Sequence, residues 1–187
     1  MHFRTDGLAR PSDVLLGPYY MAHHRNALVY LDRLDEAQWA EREAVRDALE
    51  ARTVDRLLAG DDAAAHAHRF DSFGAPLGRS LGRPAWTFRD SSYAYLSFEL
   101  EPTGTGKPLA LRLSVFAERD AALEVVVNGT RIEQTEIKSK RPHQVEVVSY
   151  SIPEELTRNG GKLRVWLLPP ATKSGPVVFG ASLLRAN

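Results

Sequence analysis

The sequence predicts a mainly β protein, an antiparallel β-sandwich of jelly-roll type preceded by one N-terminal α-helix. Three observations predict it. Leu96-Ser97-Phe98-Glu99-Leu100 and Leu109-Ala110-Leu111-Arg112-Leu113-Ser114-Val115 alternate apolar and polar residues strictly, the period of a half-buried strand. Asn128-Gly129 lies between two apolar-rich runs and supplies the positive φ angles that a two-residue hairpin turn needs. Pro102, Pro108, Pro142, Pro153 and Pro169-Pro170 punctuate the remaining β-like segments, where a missing N–H costs little.

Residues 1–34 read as an irregular lead-in broken by Gly7, Pro11, Gly17 and Pro18, with one short strand at Ala27-Leu28-Val29-Tyr30-Leu31. That strand has no local partner, so it needs a distant one or another chain. Residues 35–59 read as a helix. Asp35 is its N-cap, and Gln38 three residues on completes a capping box. Ala37, Ala40, Ala44, Ala48 and Leu49 keep helical spacing, charged side chains fill the solvated face, and Gly60 ends it. Residues 60–187 read as the sandwich. Its strands are expected at 96–100, 109–115, 125–127 with 130–132, 144–152, 162–168 and 177–184.

Composition narrows the function. The chain has 187 residues, with 24 Lys plus Arg against 24 Asp plus Glu and no cysteine. A net charge of zero lacks the basic surplus of a nucleic-acid binder. The missing cysteines remove disulfides, thiolate metal sites and cysteine nucleophiles. No apolar run is long enough to cross a membrane, and Met1-His2-Phe3-Arg4-Thr5-Asp6 carries no secretory h-region, so a cytoplasmic location is the expectation.

Alternation sorts the strand faces. Ala94, Leu96, Phe98 and Leu100 should face the core, as should Leu109, Leu111, Leu113 and Val115, and Leu163, Val165 and Leu167. Tyr93, Tyr95, Arg112, Phe116, Arg164 and Trp166 are then left on outer faces. Aromatic rings on a polar face need an explanation. Three compete: they are covered by the helix or a loop of the same chain, they form a protein interface, where Tyr, Trp, Phe and Arg are enriched, or they make a sugar-binding platform.

Catalytic motifs are scarce. His66 and His68, two apart, would share one face of a strand and, with Asp61 and Asp62 nearby, could ligate a metal. The alternative is a structural His68 and a surface His66. Glu154-Glu155 reads as a helical start after Pro153, where acidic residues are favoured, and Glu133 and Glu136 flank a hairpin strand. Neither pair carries the mark of two carboxylates across a cleft. No nucleophile elbow, Walker loop or dinucleotide fingerprint is present, and no cofactor is expected.

Several strings, in order, carry a family likeness. They are Pro18-Tyr19-Tyr20 with His23 and Val29-Tyr30, Trp39, Thr53-Val54-Asp55-Arg56 with Gly60, and His68. Trp86, Arg89-Asp90, Tyr93 to Leu100, Val127 to Ile132, Tyr150-Ser151-Ile152-Pro153 and Val178-Phe179-Gly180 continue it. This set resembles the C-terminal region of bacterial β-L-arabinofuranosidase-like glycoside hydrolases. The chain departs from that pattern at Asn26-Ala27, and at Ala65 and Ala67 before the histidine. The resemblance implies the tail and sandwich of such an enzyme without its (α/α)₆ barrel and its cysteine–glutamate–zinc chemistry. It implies a non-catalytic accessory module whose partner is a catalytic barrel or a second copy. Two rivals are a free-standing module that binds a plant-type glycan, and a metal-dependent enzyme using His66 and His68.

Overall fold

The computed structural model describes residues 36–89, 93–103, 108–139, 144–158 and 160–186. The chain divides between Ala51 and Arg52 into two units. Helix α1 (Glu36–Arg52), in the first unit up to Ala51, is exposed along most of its length, with Trp39, Glu43 and Leu49 half-buried. The solvated face carries the Arg46 guanidinium between Glu43 and Asp47, as its charge pattern predicts. The expected cap at Asp35, the lead-in strand at 27–31 and His23 lie outside the described residues.

The helix expected over 35–59 stops at Arg52. Thr53 to Leu58 form strand β1 (Thr53–Leu58) instead, because a distant strand offers them a ladder. The β-branched Thr53-Val54 pair favours that choice. Gly60 therefore closes β1 rather than a helix, at φ +82°, and its backbone lies so close to Pro84 that a Cβ would come within 2.8 Å of that ring. Helix α2 (Asp62–Ala67) follows, with the Asp61 carboxylate accepting from Ala64 N–H at 2.9 Å as its N-cap.

The remaining elements are β2 (Asp71–Phe73), β3 (Leu77–Ser80), β4 (Arg83–Thr87), β5 (Tyr95–Leu100), β6 (Leu109–Phe116), β7 (Ala121–Val127) and β8 (Thr130–Ile137). Then come β9 (Glu146–Ile152), helix α3 (Glu154–Thr157), β10 (Leu163–Leu168) and β11 (Val177–Arg185). They build two antiparallel sheets. Sheet A has the order β3-β4-β11-β6-β9, with β1 also paired to β11, and sheet B has the order β2-β5-β10-β7-β8. This is the predicted sandwich.

The core lies between the sheets and obeys the alternation. Leu96, Leu100, Leu111, Leu113, Val125, Leu163, Val165, Leu167 and Leu183 are all fully buried. Burying each such side chain is worth about 1.5–3 kcal/mol, so this one layer is the main source of stability. The Asn128-Gly129 hairpin is as read, with φ of +50° and +81°. It is also stitched sideways: Asn128 N–H donates to Arg164 O, and Asn128 Oδ1 accepts from Arg164 N–H, both at 2.8 Å.

One polar tie holds the two sheets at the β1 edge. Asp55 on β1 accepts from His68 Nε2 at 2.9 Å and from the Glu101 N–H at 2.7 Å, beyond β5. His68 Nδ1 lies 2.6 Å from the Ala64 carbonyl. Both partners of the ring are acceptors, so only the imidazolium, with two N–H groups, satisfies both.

Candidate functional site

The outer side of sheet B carries a layer of rings. Cross-strand register sets Phe73 beside Tyr95, and Asp71 and Trp166 on either side of Ser97. The Phe73 and Tyr95 rings stack with centroids 6.4 Å apart, and Tyr95 and Trp166 meet at 5.0 Å, tilted by 55°. The Arg164 guanidinium stands 5.6 Å over the Trp166 ring. The Tyr95 hydroxyl donates to Asp71 at 2.8 Å, and that bond to a carboxylate raises its pKa above the ordinary phenol value. Ser97 points outward by alternation yet is fully buried, because it lies under this layer.

At one end of the layer the rings border an open groove of about 590 Å³. Tyr95, Leu168 and Glu124 belong to its lining from neighbouring strands, together with Phe73 and Tyr93. Phe73 is 57% exposed and Tyr93 79%. The Pro169-Pro170-Ala171 segment, the start of the β10–β11 connection, lines it as well. That connection is held down at three points. Lys173 pairs with Glu136, Ala122 N–H donates to Ser174 O at 3.0 Å, and Gly175 sits where a Cβ would lie 2.6 Å from the Phe88 ring. Two consecutive prolines stiffen it further by fixing φ.

Charged groups rim the layer. Glu99 lies beside both Arg69 and Arg164, at 3.4 and 3.5 Å, and Arg131 pairs with Glu124 at 3.4 Å. Flat rings bordered by such groups can bury the apolar face of a sugar while bonding its hydroxyls.

Of the six outward residues singled out from the sequence, the structure gathers Tyr95, Arg164 and Trp166 in the layer, with Tyr93 along the groove. It does not bring Arg112 or Phe116 there. Both are on β6 in sheet A, Arg112 between Ser149 and Ser182. Phe116 is no surface ring either: it is 6% exposed, packed with Ala85 and Phe179 in a small second core. Alternation assigns a face but does not reveal what covers that face. Alternation also puts Glu99 on the outer face, whereas Phe73, Asp71, Glu124 and the place of Pro169-Pro170 beside the rings are not legible in the sequence. Phe73 sits in a strand three residues long, too short for a periodic signal.

His66 and His68 do not share a strand face. His66 is exposed on α2, and His68 is that helix's C-cap. Positions two apart on a helix point to nearly opposite sides. His68 is committed to Asp55 and Ala64. Burial opposes charging its ring, but the Asp55 and Ala64 bonds outweigh this and raise its pKa. Burial likewise disfavours the Asp55 carboxylate, yet the Glu101 N–H, His68 and Arg56 N–H bonds together lower its pKa. Among the described residues no group of three or more His, Asp or Glu side chains could hold a metal. Glu154-Glu155 opens the one-turn α3, as read, and Glu136 pairs with Lys173 and Lys138.

Two antiparallel sheets in this order define a jelly-roll sandwich like that of carbohydrate-binding modules. The module of family 35 from Clostridium thermocellum superposes with a TM-score of 0.51 at 12% identity, covering 70% of this chain and 98% of that one. CBM35 from Cellvibrio japonicus Abf62 gives 0.52 at 12%, covering 71% and 94%. The Podospora anserina GH26-CBM35 β-(1,4)-mannanase gives 0.52 at 13%, covering 71% of this chain and 27% of the mannanase. Residues 48–184 match the family model DUF6805, described as a family of unknown function, and the chain belongs to that family. No curated protein matches it.

Proposed function

We propose that this chain is a carbohydrate-binding module, and that the outer side of sheet B with its adjoining groove is where the glycan lies. One observation carries the reading: Phe73, Tyr95 and Trp166 form a continuous ring layer, bordered by Asp71, Glu99 and Arg164, beside an open groove. Phe73 and Tyr93 are exposed beside the half-buried Tyr95 and Trp166, and a contiguous exposed apolar patch marks a binding surface. The sandwich is the one that carbohydrate-binding modules use, which supports a glycan over a protein as the cover. Titration calorimetry against arabinan, β-mannan, xylan and cello-oligosaccharides tests the reading. Trp166→Ala and Tyr93→Ala should each weaken binding about tenfold or more, the loss expected for a stacking contact of about 1.5 kcal/mol. Unchanged affinity in both variants, with the fold intact by circular dichroism, rejects it.

A second reading makes the chain an accessory domain attached to, and supporting, a catalytic domain. A module of the same fold is joined to the catalytic part of the mannanase. The likeness to β-L-arabinofuranosidase-like hydrolases would make that neighbour a barrel. The two readings are compatible, since a module can both bind a glycan and support its enzyme.

A further inference from the structure

We infer that the glycan on this face is uncharged, a neutral pyranose or furanose chain rather than a uronic-acid or sulfated one. The inference rests on the carbohydrate-binding reading and concerns what that same face selects. Arg69, Arg131 and Arg164 border the ring layer with Asp71, Glu99 and Glu124, and of these only Glu124 belongs to the groove lining. Each cation is already engaged. Arg69 and Arg164 share Glu99, and Arg131 lies against Glu124. Asp71 accepts from the Tyr95 hydroxyl. Behind the wall segment the pattern repeats, with Lys138 and Lys173 set against Asp120 and Glu136.

In the groove an acidic sugar would meet the Glu124 carboxylate, the one charged side chain of the lining, which repels it. A neutral sugar meets no such repulsion. A paired guanidinium keeps spare N–H donors, and the Asp71 and Glu124 carboxylates keep spare lone pairs, whereas the second Glu99 oxygen is buried. A rim that holds both donors and acceptors matches hydroxyl groups, which both give and take. Arg89 is a further exposed cation nearby, its backbone N–H bonded to Gly74 O just beyond Phe73, and like Arg69, Arg131 and Arg164 it stands outside the groove lining.

The test compares neutral glycans (arabinan, β-mannan, cello-oligosaccharides) with polygalacturonate and glucuronoxylan by calorimetry, from about 20 to about 500 mM salt. The expected result is Trp166-dependent binding of a neutral glycan whose affinity changes less than about twofold over that range. An acidic glycan bound tenfold more tightly than any neutral one at low salt, and lost on Trp166→Ala, overturns the inference but leaves the carbohydrate-binding reading standing. Arg89→Ala then shows whether that residue supplies the cation. Binding of neither class overturns both.

Discussion

Asp55→Ala should cost about 3 kcal/mol of folding stability, and the structure shows why. Asp55 is the acceptor for two groups across the sandwich edge, His68 Nε2 and the Glu101 N–H. The His68 side chain is only 14% exposed, so its orphaned N–H would lose a charge-assisted bond with little water to replace it, a loss of about 2 kcal/mol. The Glu101 N–H is near solvent, so its loss adds about 1 kcal/mol. With a urea slope of about 1.5 kcal/mol per molar for a domain of this size, the unfolding midpoint should fall by about 2 M. Trp86, buried in the core, reports the transition by its fluorescence.

The pH dependence follows from the two shifts. Asp55 is depressed in the folded state, so its contribution is complete above the unfolded value near about 3.9 and fades as pH falls through the folded one. His68 is raised, so its contribution is complete below about 6.5 and is lost as pH rises through the folded value. The tie should thus contribute most between about pH 4 and 6.5, and His68→Asn should flatten the alkaline limb of the stability profile. A midpoint shift under about 0.5 M for Asp55→Ala, or identical pH profiles for His68→Asn and the parent, would refute the reasoning.

Two further substitutions probe the walls and the hairpin. Gly175→Val should destabilise the fold by about 1–3 kcal/mol in urea titration, because its side chain enters the space of the Phe88 ring; a neutral result would mean the β10–β11 connection yields easily. Asn128→Ala should cost about 1–2 kcal/mol, through the positive φ and the lost bond to Arg164 N–H, whereas Asn128→Gly should recover the backbone part; equal losses in thermal melts would argue against that division.

The parts of this fold that were legible in the sequence are those whose signal is local. Leu109 to Val115 and Leu163 to Leu168 declare themselves because every second residue must reach the same core, and Asn128-Gly129 because few dipeptides accept two positive φ angles. β1 did not, since Leu57-Leu58 prolong a helical spacing and the strand exists only by pairing with Gly180 to Leu184 more than a hundred positions later. The β3–β4 hairpin hid for another reason: its turn places Leu81, an unfavourable residue, at φ +47° beside Gly82. For the site, periodicity found Tyr95, Arg164 and Trp166 but grouped them with Arg112 and Phe116. Which sheet a strand joins is decided by pairing, and no one-strand pattern contains it.

The β11 ladder has a consequence for biosynthesis. This strand pairs with β1, β4 and β6, so it is the hub of sheet A, yet all its partners leave the ribosome before it does. Until Val177 to Arg185 emerge, the inner faces of β1 and β6 have no hub strand between them, and no early half of the molecule can close its core. Folding must wait for the end of the domain, and a chain cut short before that point should be held by chaperones or degraded.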